Sequence, residues 1–77
     1  MEKNYSEKEL RPRKTKIICT MGPASENEDV VKQMILAGMN VARFNMSHGD
    51  YADHTRRINL VRKCARELKK PVGILLD

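Results

Sequence analysis

The sequence predicts an α/β fold in which three parallel strands alternate with two helices, in the order β-α-β-α-β. Short apolar runs begin near residues 16, 41 and 72, and two segments with apolar residues at helical spacing separate them. The runs start 25 and 31 residues apart, a spacing typical of parallel strands joined by right-handed helical crossovers. Because the strands are almost continuously apolar, we expect a sheet covered on both faces or closed into a barrel.

The first strand is predicted over about residues 16–21, a run rich in β-branched residues that a Gly-Pro pair ends. Ser25 and Glu28 have the spacing of a capping box, in which the Ser25 hydroxyl accepts a hydrogen bond from the amide of Glu28. The following helix is predicted over about residues 26–38, with Gly38 as the left-handed residue that ends it.

The second half of the chain repeats this pattern. A strand is predicted over about residues 41–46, and Asp50 is the predicted N-cap of a helix over about residues 51–70. Pro71 prevents that helix from continuing, and the third strand is predicted over about residues 72–77. Three strands with helices on one side leave the other face bare. We therefore expect either a partner that covers it or a larger domain of which this chain is the first part.

Length and composition limit the class of protein. With 77 residues, we expect a mobile leader over residues 1–13 and one small folded unit over residues 14–77, of marginal stability by itself. Cys19 and Cys64 have neither metal-ligand spacing nor a disulfide framework, which indicates reduced thiols. The sequence contains no signal peptide and no long apolar span, so we expect a cytoplasmic protein without membrane contact.

The net charge of +5 raises an alternative function, a small basic α/β module that binds anions or nucleic acid, or docks a protein, without catalysis. No nucleic-acid reading module with interleaved aromatic residues is recognisable, so we expect no nucleic-acid partner. A solvated surface is the simpler explanation of the two densest basic regions, which are Arg11 to Lys16 and the helix face of Arg56, Arg57, Arg62, Lys63 and Arg66.

The stretch NVARFNMSHG (Asn40 to Gly49) carries the clearest signal for a site. Because strand side chains alternate between faces, three polar residues in succession are predicted on one face: Arg43, Asn45 and Ser47. They lie at the carboxyl end of the strand, where α/β folds bind their ligands. Three apolar residues form the other face, which suits packing under a helix: Ala42, Phe44 and Met46.

Residue chemistry leaves two explanations of this polar face open. The guanidinium of Arg43 cannot lose its charge, and its planar fork matches a phosphate or carboxylate ligand, while Asn45 and Ser47 offer oxygens to a cation. Alternatively, Arg43 pairs with a structural carboxylate, and Asn45 and Ser47 satisfy backbone groups in a turn.

Two histidines and one aspartate complete the candidates. His48 is either a ligand contact and general acid or base, or a hydrogen-bonded structural residue. His54 precedes the apolar stripe of its helix by one turn, and we expect it to be structural. Asp77 is a site candidate because it stands at the carboxyl end of the third strand.

Three motifs, TKIICTMGPAS, GMNVARFNMSHGDYADH and PVGILLD, closely resemble the start of the pyruvate kinase family in order and spacing. The resemblance covers about residues 14–77 and is strongest to bacterial members. It implies the first part of a (β/α)8 TIM barrel in a glycolytic enzyme that transfers a phosphoryl group from phosphoenolpyruvate to ADP, giving pyruvate and ATP. It also implies Mg²⁺ and K⁺ as cofactors, and a homotetramer for the full-length enzyme.

The resemblance assigns roles to matching positions. Arg43 takes the place of the substrate-binding arginine that contacts the transferred phosphoryl group. Asn45, Ser47 and Asp77 match positions that bind potassium, and Asn45, Ser47 and His48 lie in the segment that approaches the nucleotide.

The chain also departs from the family. It ends at Leu75-Leu76-Asp77, where the family continues with a threonine and a glycine-rich stretch. The lysine that assists phosphoryl transfer and the carboxylates that hold Mg²⁺ come from later parts of the family's barrel. No catalytic residue is therefore expected in these 77 residues, and we expect the chain alone to be inactive.

Overall fold

The computed structural model describes residues 16–77, which form a three-stranded parallel sheet and two α-helices. The predicted α/β class and the β-α-β-α-β order are confirmed, whereas the predicted leader over residues 1–13 lies outside the described residues. In chain order the elements are β1 (Ile18–Met21), a 3₁₀ turn (Pro23–Ser25), α1 (Glu28–Leu36), β2 (Val41–Phe44), α2 (Tyr51–Leu68) and β3 (Gly73–Leu76).

The strand β2 lies in the centre of the sheet and pairs in parallel with β1 on one side and β3 on the other. The register aligns Arg43 with Thr20 of β1 and with Leu75 of β3. All three carboxyl ends therefore meet at one edge of the sheet. The pairing continues just past β3, where the Asp77 amide donates to the Phe44 carbonyl at 2.9 Å.

The core lies between one face of the sheet and the two helices. Ala42 and Phe44 of β2 are fully buried, and they cluster with Val31 of α1 and Val61 of α2. Met46, which was predicted on this face, is half-buried against the same cluster. The alternation of VARF therefore does place its apolar residues under the helices, as the sequence indicates.

The start of α1 corrects the predicted capping box. Asn27 is the N-cap, and its side-chain oxygen accepts from the amide of Asp29 at 2.8 Å. Ser25 instead closes the preceding 3₁₀ turn, because its hydroxyl accepts from the Gly22 amide and donates to the Gly22 carbonyl. Both residues are good caps by type, and the intervening 3₁₀ turn moves the helix start from one to the other.

The two helices end in left-handed residues. After α1, Gly38 has φ 118°, and its amide donates to the Ile35 carbonyl at 3.0 Å, as predicted for a helix-ending glycine. After α2, the residue is Lys69, with φ 57° and ψ 39°. The predicted helix end at residue 70 is therefore two residues too late, since α2 stops at Leu68.

Ion pairs join α1 to α2 on the solvent side of the core. Glu28 of α1 contacts Lys63 of α2 at 3.1 Å, and Lys32 of α1 contacts Glu67 of α2 at 2.9 Å. The hydrogen bonds from Lys63 and then Lys32 hold the pKa of Glu28 below its usual value. Between residues 16 and 77, neither helix combines the length and the apolar character that a membrane span requires.

Candidate functional site

The carboxyl ends of the three strands bring together Thr20, Arg43 and Asp77. The guanidinium of Arg43 donates to the Thr20 hydroxyl, with Nη1 and Oγ1 separated by 3.3 Å. Its Nη2 forms an ion pair and hydrogen bond with Oδ2 of Asp77. Arg43 and Asp77, predicted separately as site candidates, therefore form one charged pair. The second explanation of Arg43 required a carboxylate partner within the fold, and Asp77 is such a partner.

This pair remains accessible to solvent. The Arg43 side chain is 33% exposed and that of Asp77 is 56% exposed. An ion pair in such a position contributes little to stability, because water screens the charges and already solvates both groups. A phosphoryl or carboxylate ligand can therefore replace Asp77 as the partner of Arg43 at small energetic cost, using the same planar donors.

Immediately after β2, the chain folds into a side-chain turn. The Asn45 side-chain oxygen accepts from the Ser47 amide at 3.1 Å and from the Ser47 hydroxyl at 2.6 Å. Because β2 ends at Phe44, this turn, and not continued strand alternation, places the side chains of Asn45 and Ser47. The turn is also attached to β3, since the Met46 amide donates to the Asp77 carbonyl at 2.9 Å.

The oxygens at this turn have the chemistry of a cation site. Asn45 and Ser47 contribute neutral oxygens. Asp77 is attached to the same turn through its backbone carbonyl and carries the carboxylate that pairs with Arg43. Amide, hydroxyl and carboxylate oxygens are the ligand types that hard cations take in proteins. In the part of the chain that the structure covers, no three His, Cys, Asp or Glu side chains are grouped to hold a metal.

A cavity of about 410 Å³ opens between the loop after β1 and the loop after β2. Pro23 lines the wall formed by the loop after β1, and Asn45 and His48 line the wall formed by the loop after β2. The base is formed by His54 and Arg57, near the start of α2. The predicted nucleotide-binding residues Asn45 and His48 thus line one cavity next to the strand ends. Among the lining groups, His48 is exposed to solvent.

Arg57 and Glu26 were not recognised from the sequence as partners. Arg57 was assigned to an exposed basic helix face, but it is only 8% exposed. Its Nε donates to Glu26 at 2.7 Å, which holds the pKa of Glu26 below its usual value. The signal was present in the spacing, because Arg57 lies one turn before the buried Val61 and on the same side of α2.

Two more basic residues of this helix face also pair with acids. Arg56 contacts Glu26 at 3.2 Å and Asp53 at 3.1 Å, and Lys63 contacts Glu28 at 3.1 Å. Three of the five basic side chains that suggested an anionic surface are thus already partnered within the chain. This pairing weakens the alternative of a nucleic-acid surface, which requires free cationic groups along one face.

Comparisons with known proteins agree on one family. A sequence profile for "Pyruvate kinase, barrel domain" matches residues 12–77. A pyruvate kinase from Sporosarcina psychrophila is 63% identical over 65 residues, and one from Staphylococcus saprophyticus is 60% identical over 65 residues. Each match covers 84% of this chain and 11% of the relative, so the chain spans about a tenth of their length.

A solved structure shows the same backbone. The crystal structure of a pyruvate kinase from Cryptosporidium parvum superposes with a TM-score of 0.80 at 44% identity. The match covers 84% of this chain and 13% of that chain. The three parallel strands and two helices are therefore the arrangement found in a known pyruvate kinase barrel.

Proposed function

The chain belongs to the pyruvate kinase family, as an N-terminal segment of its barrel, and from this premise we propose that it carries half of a phosphoryl-transfer site. The reaction would transfer the phosphoryl group of phosphoenolpyruvate to ADP, giving pyruvate and ATP in cytoplasmic glycolysis. The observation that supports this best is the meeting of Thr20, Arg43 and Asp77 at the carboxyl ends of three parallel strands.

In this proposal Arg43 binds the phosphoryl group of phosphoenolpyruvate. Its guanidinium offers several donors in a fixed plane, and the Thr20 hydroxyl holds one of them in place at 3.3 Å. Phosphoryl transfer depends mainly on positioning anions and neutralising charge, which a fixed arginine does without further rearrangement.

Asn45, Ser47 and Asp77 would hold K⁺ beside the phosphoryl group. The cavity lined by Asn45 and His48 would take the nucleotide, with Ser47 on the adjoining turn. The side-chain oxygens of Asn45 and Ser47 already lie on one turn, and that turn is hydrogen-bonded to Asp77 at the end of β3. Mg²⁺, when bound, would be held by carboxylates supplied from elsewhere in the barrel, and it would neutralise charge on the phosphoryl oxygens. Within residues 16–77, no three His, Cys, Asp or Glu side chains are grouped to hold a metal. We propose that the chain alone is inactive and that residues 14–77 act as part of a complete barrel.

A chimera tests this proposal. Residues 12–77 would replace the matching segment of the Sporosarcina psychrophila pyruvate kinase, and phosphoenolpyruvate-dependent ATP formation would be measured. We expect an active chimera in which Arg43→Lys lowers kcat/KM for phosphoenolpyruvate by about 100-fold, since lysine lacks the planar fork.

Arg62→Lys is the matched control, because Arg62 lies exposed on α2 and away from the strand ends. It should leave kcat/KM unchanged. An active chimera that tolerates Arg43→Lys would contradict the role of Arg43. ATP formation by the isolated 77-residue chain would contradict its proposed inactivity.

A further inference from the structure

We propose that His54 is a positioning residue that fixes the backbone of the loop Asn45–Gly49, which carries the polar side chains of the site. The ligand of the loop is taken from the proposed function, on which this part of the inference rests. The contact by which His54 fixes the loop is a separate property. His54 lies in the first turns of α2 and is only 5% exposed. The sequence suggested a structural residue at the edge of the core; the contacts of its ring indicate a more specific role.

The ring of His54 connects the helix to the loop. Its Nε2 hydrogen-bonds the backbone carbonyl of His48, while its own backbone amide is held in the helix by the Asp50 carbonyl at 3.1 Å. The side chain of His48 takes no part in this contact and stays exposed. The peptide group is therefore anchored to a rigid helix, and the candidate ligand-binding side chain remains free.

The hydrogen-bond roles follow from the acceptor. A carbonyl oxygen cannot donate, so the proton must be on Nε2 of His54. The other nitrogen, Nδ1, is buried and has no hydrogen-bond partner among residues 16–77. An apolar ring would fill this position without leaving a buried acceptor unsatisfied. Packing alone therefore does not account for a histidine here, whereas the bond to the loop does.

The loop lies directly against the ring. Gly49 has φ 78°, and a Cβ added there would be 3.4 Å from Nε2 of His54. One turn along the same helix, Arg57 pairs with Glu26, which follows the loop after β1. The start of α2 thus holds both walls of the 410 Å³ cavity. A loop held in this way loses little conformational freedom when a ligand binds.

The first test is the tautomer of His54 in the full chain, labelled with ¹⁵N at its two histidines and examined by long-range ¹H–¹⁵N spectra. We expect one histidine to be a fixed Nε2–H tautomer with an unbonded Nδ1. A fixed Nδ1–H tautomer, or averaged tautomers for both rings, would overturn the proposal. Since an unfolded chain also gives averaged rings, loss of the fold would count against it too.

The second test measures amide hydrogen exchange in variants of similar size. His54→Phe keeps an aromatic ring and removes the donor, so exchange at residues 46–49 should become about tenfold faster while exchange in β2 changes less. His54→Gln, whose amide nitrogen can occupy the position of Nε2, should restore protection. Val61→Ala, a buried change on the same helix, is the control and should accelerate exchange throughout.

Equal acceleration in His54→Phe and Val61→Ala would reduce His54 to a packing residue. Adding ADP to the labelled chain separates this inference from the proposed function. If ADP does not change the amide chemical shifts of the loop although His54 shows the expected tautomer, the proposed nucleotide role is wrong and the positioning role of His54 stands. If ADP changes these chemical shifts but His54 lacks the expected tautomer, the positioning role of His54 is wrong.

Discussion

The two faces of the sheet are made from alternate residues of the same strands, yet they are held in opposite ways. On the covered face, Ala42 and Phe44 have no exposed surface and are packed between both helices. On the open face, Ile18 is 55% exposed and Leu75 is 42% exposed, and the neighbouring Arg43 is held by hydrogen bonds. Apolar packing organises the first face, and directed polar contacts organise the second.

This difference shows how one short strand can serve both stability and chemistry. Arg43 and Phe44 are adjacent in sequence, but their side chains have different surroundings and different consequences when changed. Substitutions on the covered face should alter the free energy of unfolding, whereas those on the open face should alter ligand binding. The following predictions test this separation, beginning with the largest expected effect on stability.

Phe44→Ala should have the largest effect. Removing a fully buried aromatic ring costs about 3–5 kcal/mol through lost burial and the cavity left behind, which a small domain cannot absorb. We expect no cooperative unfolding transition in urea, as followed by circular dichroism. Leu75→Ala, on the open face, is the control and should unfold nearly as the original chain does. Equal losses in both variants would end the distinction between the faces.

Asn27→Ala should come second. It removes the side-chain oxygen that accepts from the amides of Asp29 and Val30 at the start of α1. We expect a loss of about 1 kcal/mol in the free energy of unfolding, measured by urea denaturation. Asn27→Asp keeps an acceptor and should keep the stability. A harmless Asn27→Ala would mean that the helix does not depend on this cap.

Acid pH should lower the stability of the fold by a smaller amount, because it protonates the carboxylates of Glu26 and Glu28 that pair with α2. The hydrogen bond from Arg57 lowers the pKa of Glu26, and those from Lys63 and Lys32 lower that of Glu28. Their stabilising contribution is therefore complete above the ordinary carboxyl pKa and is lost as pH falls through the lower folded-state values. The melting temperature should fall over this range, and less steeply in Glu26→Gln. Parallel profiles would contradict the assignment.

Asp77→Asn should change stability least, although it breaks the ion pair with Arg43. Both side chains are substantially exposed, so the coupling should stay below about 1 kcal/mol. A double-mutant cycle with Arg43→Met, followed by urea denaturation, measures it directly. A coupling above about 2 kcal/mol would show that the open face also contributes to the stability of the fold.

The sequence was sufficient for the order of elements because helix and strand periods differ and apolar residues follow them. It was insufficient at Ser25 and Asn27, since both are good caps and only the turn between them decides. The spacing before Val61 indicated that Arg57 lies on the buried side of α2, but its partner Glu26 is 31 residues away, and no local pattern reveals that pairing. Residue chemistry left two partners open for Arg43, and the structure supplies Asp77. The ligand roles of these residues remain predictions.

The end of α2 shows that a sequence can accept local backbone strain for an electrostatic gain. Lys69 adopts a left-handed conformation with φ 57°, which glycine reaches freely and a residue with a Cβ reaches at an energetic cost. A lysine here adds a positive charge at the negative end of the helix dipole, which glycine would not supply. At position 69, a change to glycine would therefore relieve the backbone strain and remove the charge without altering the core or the site.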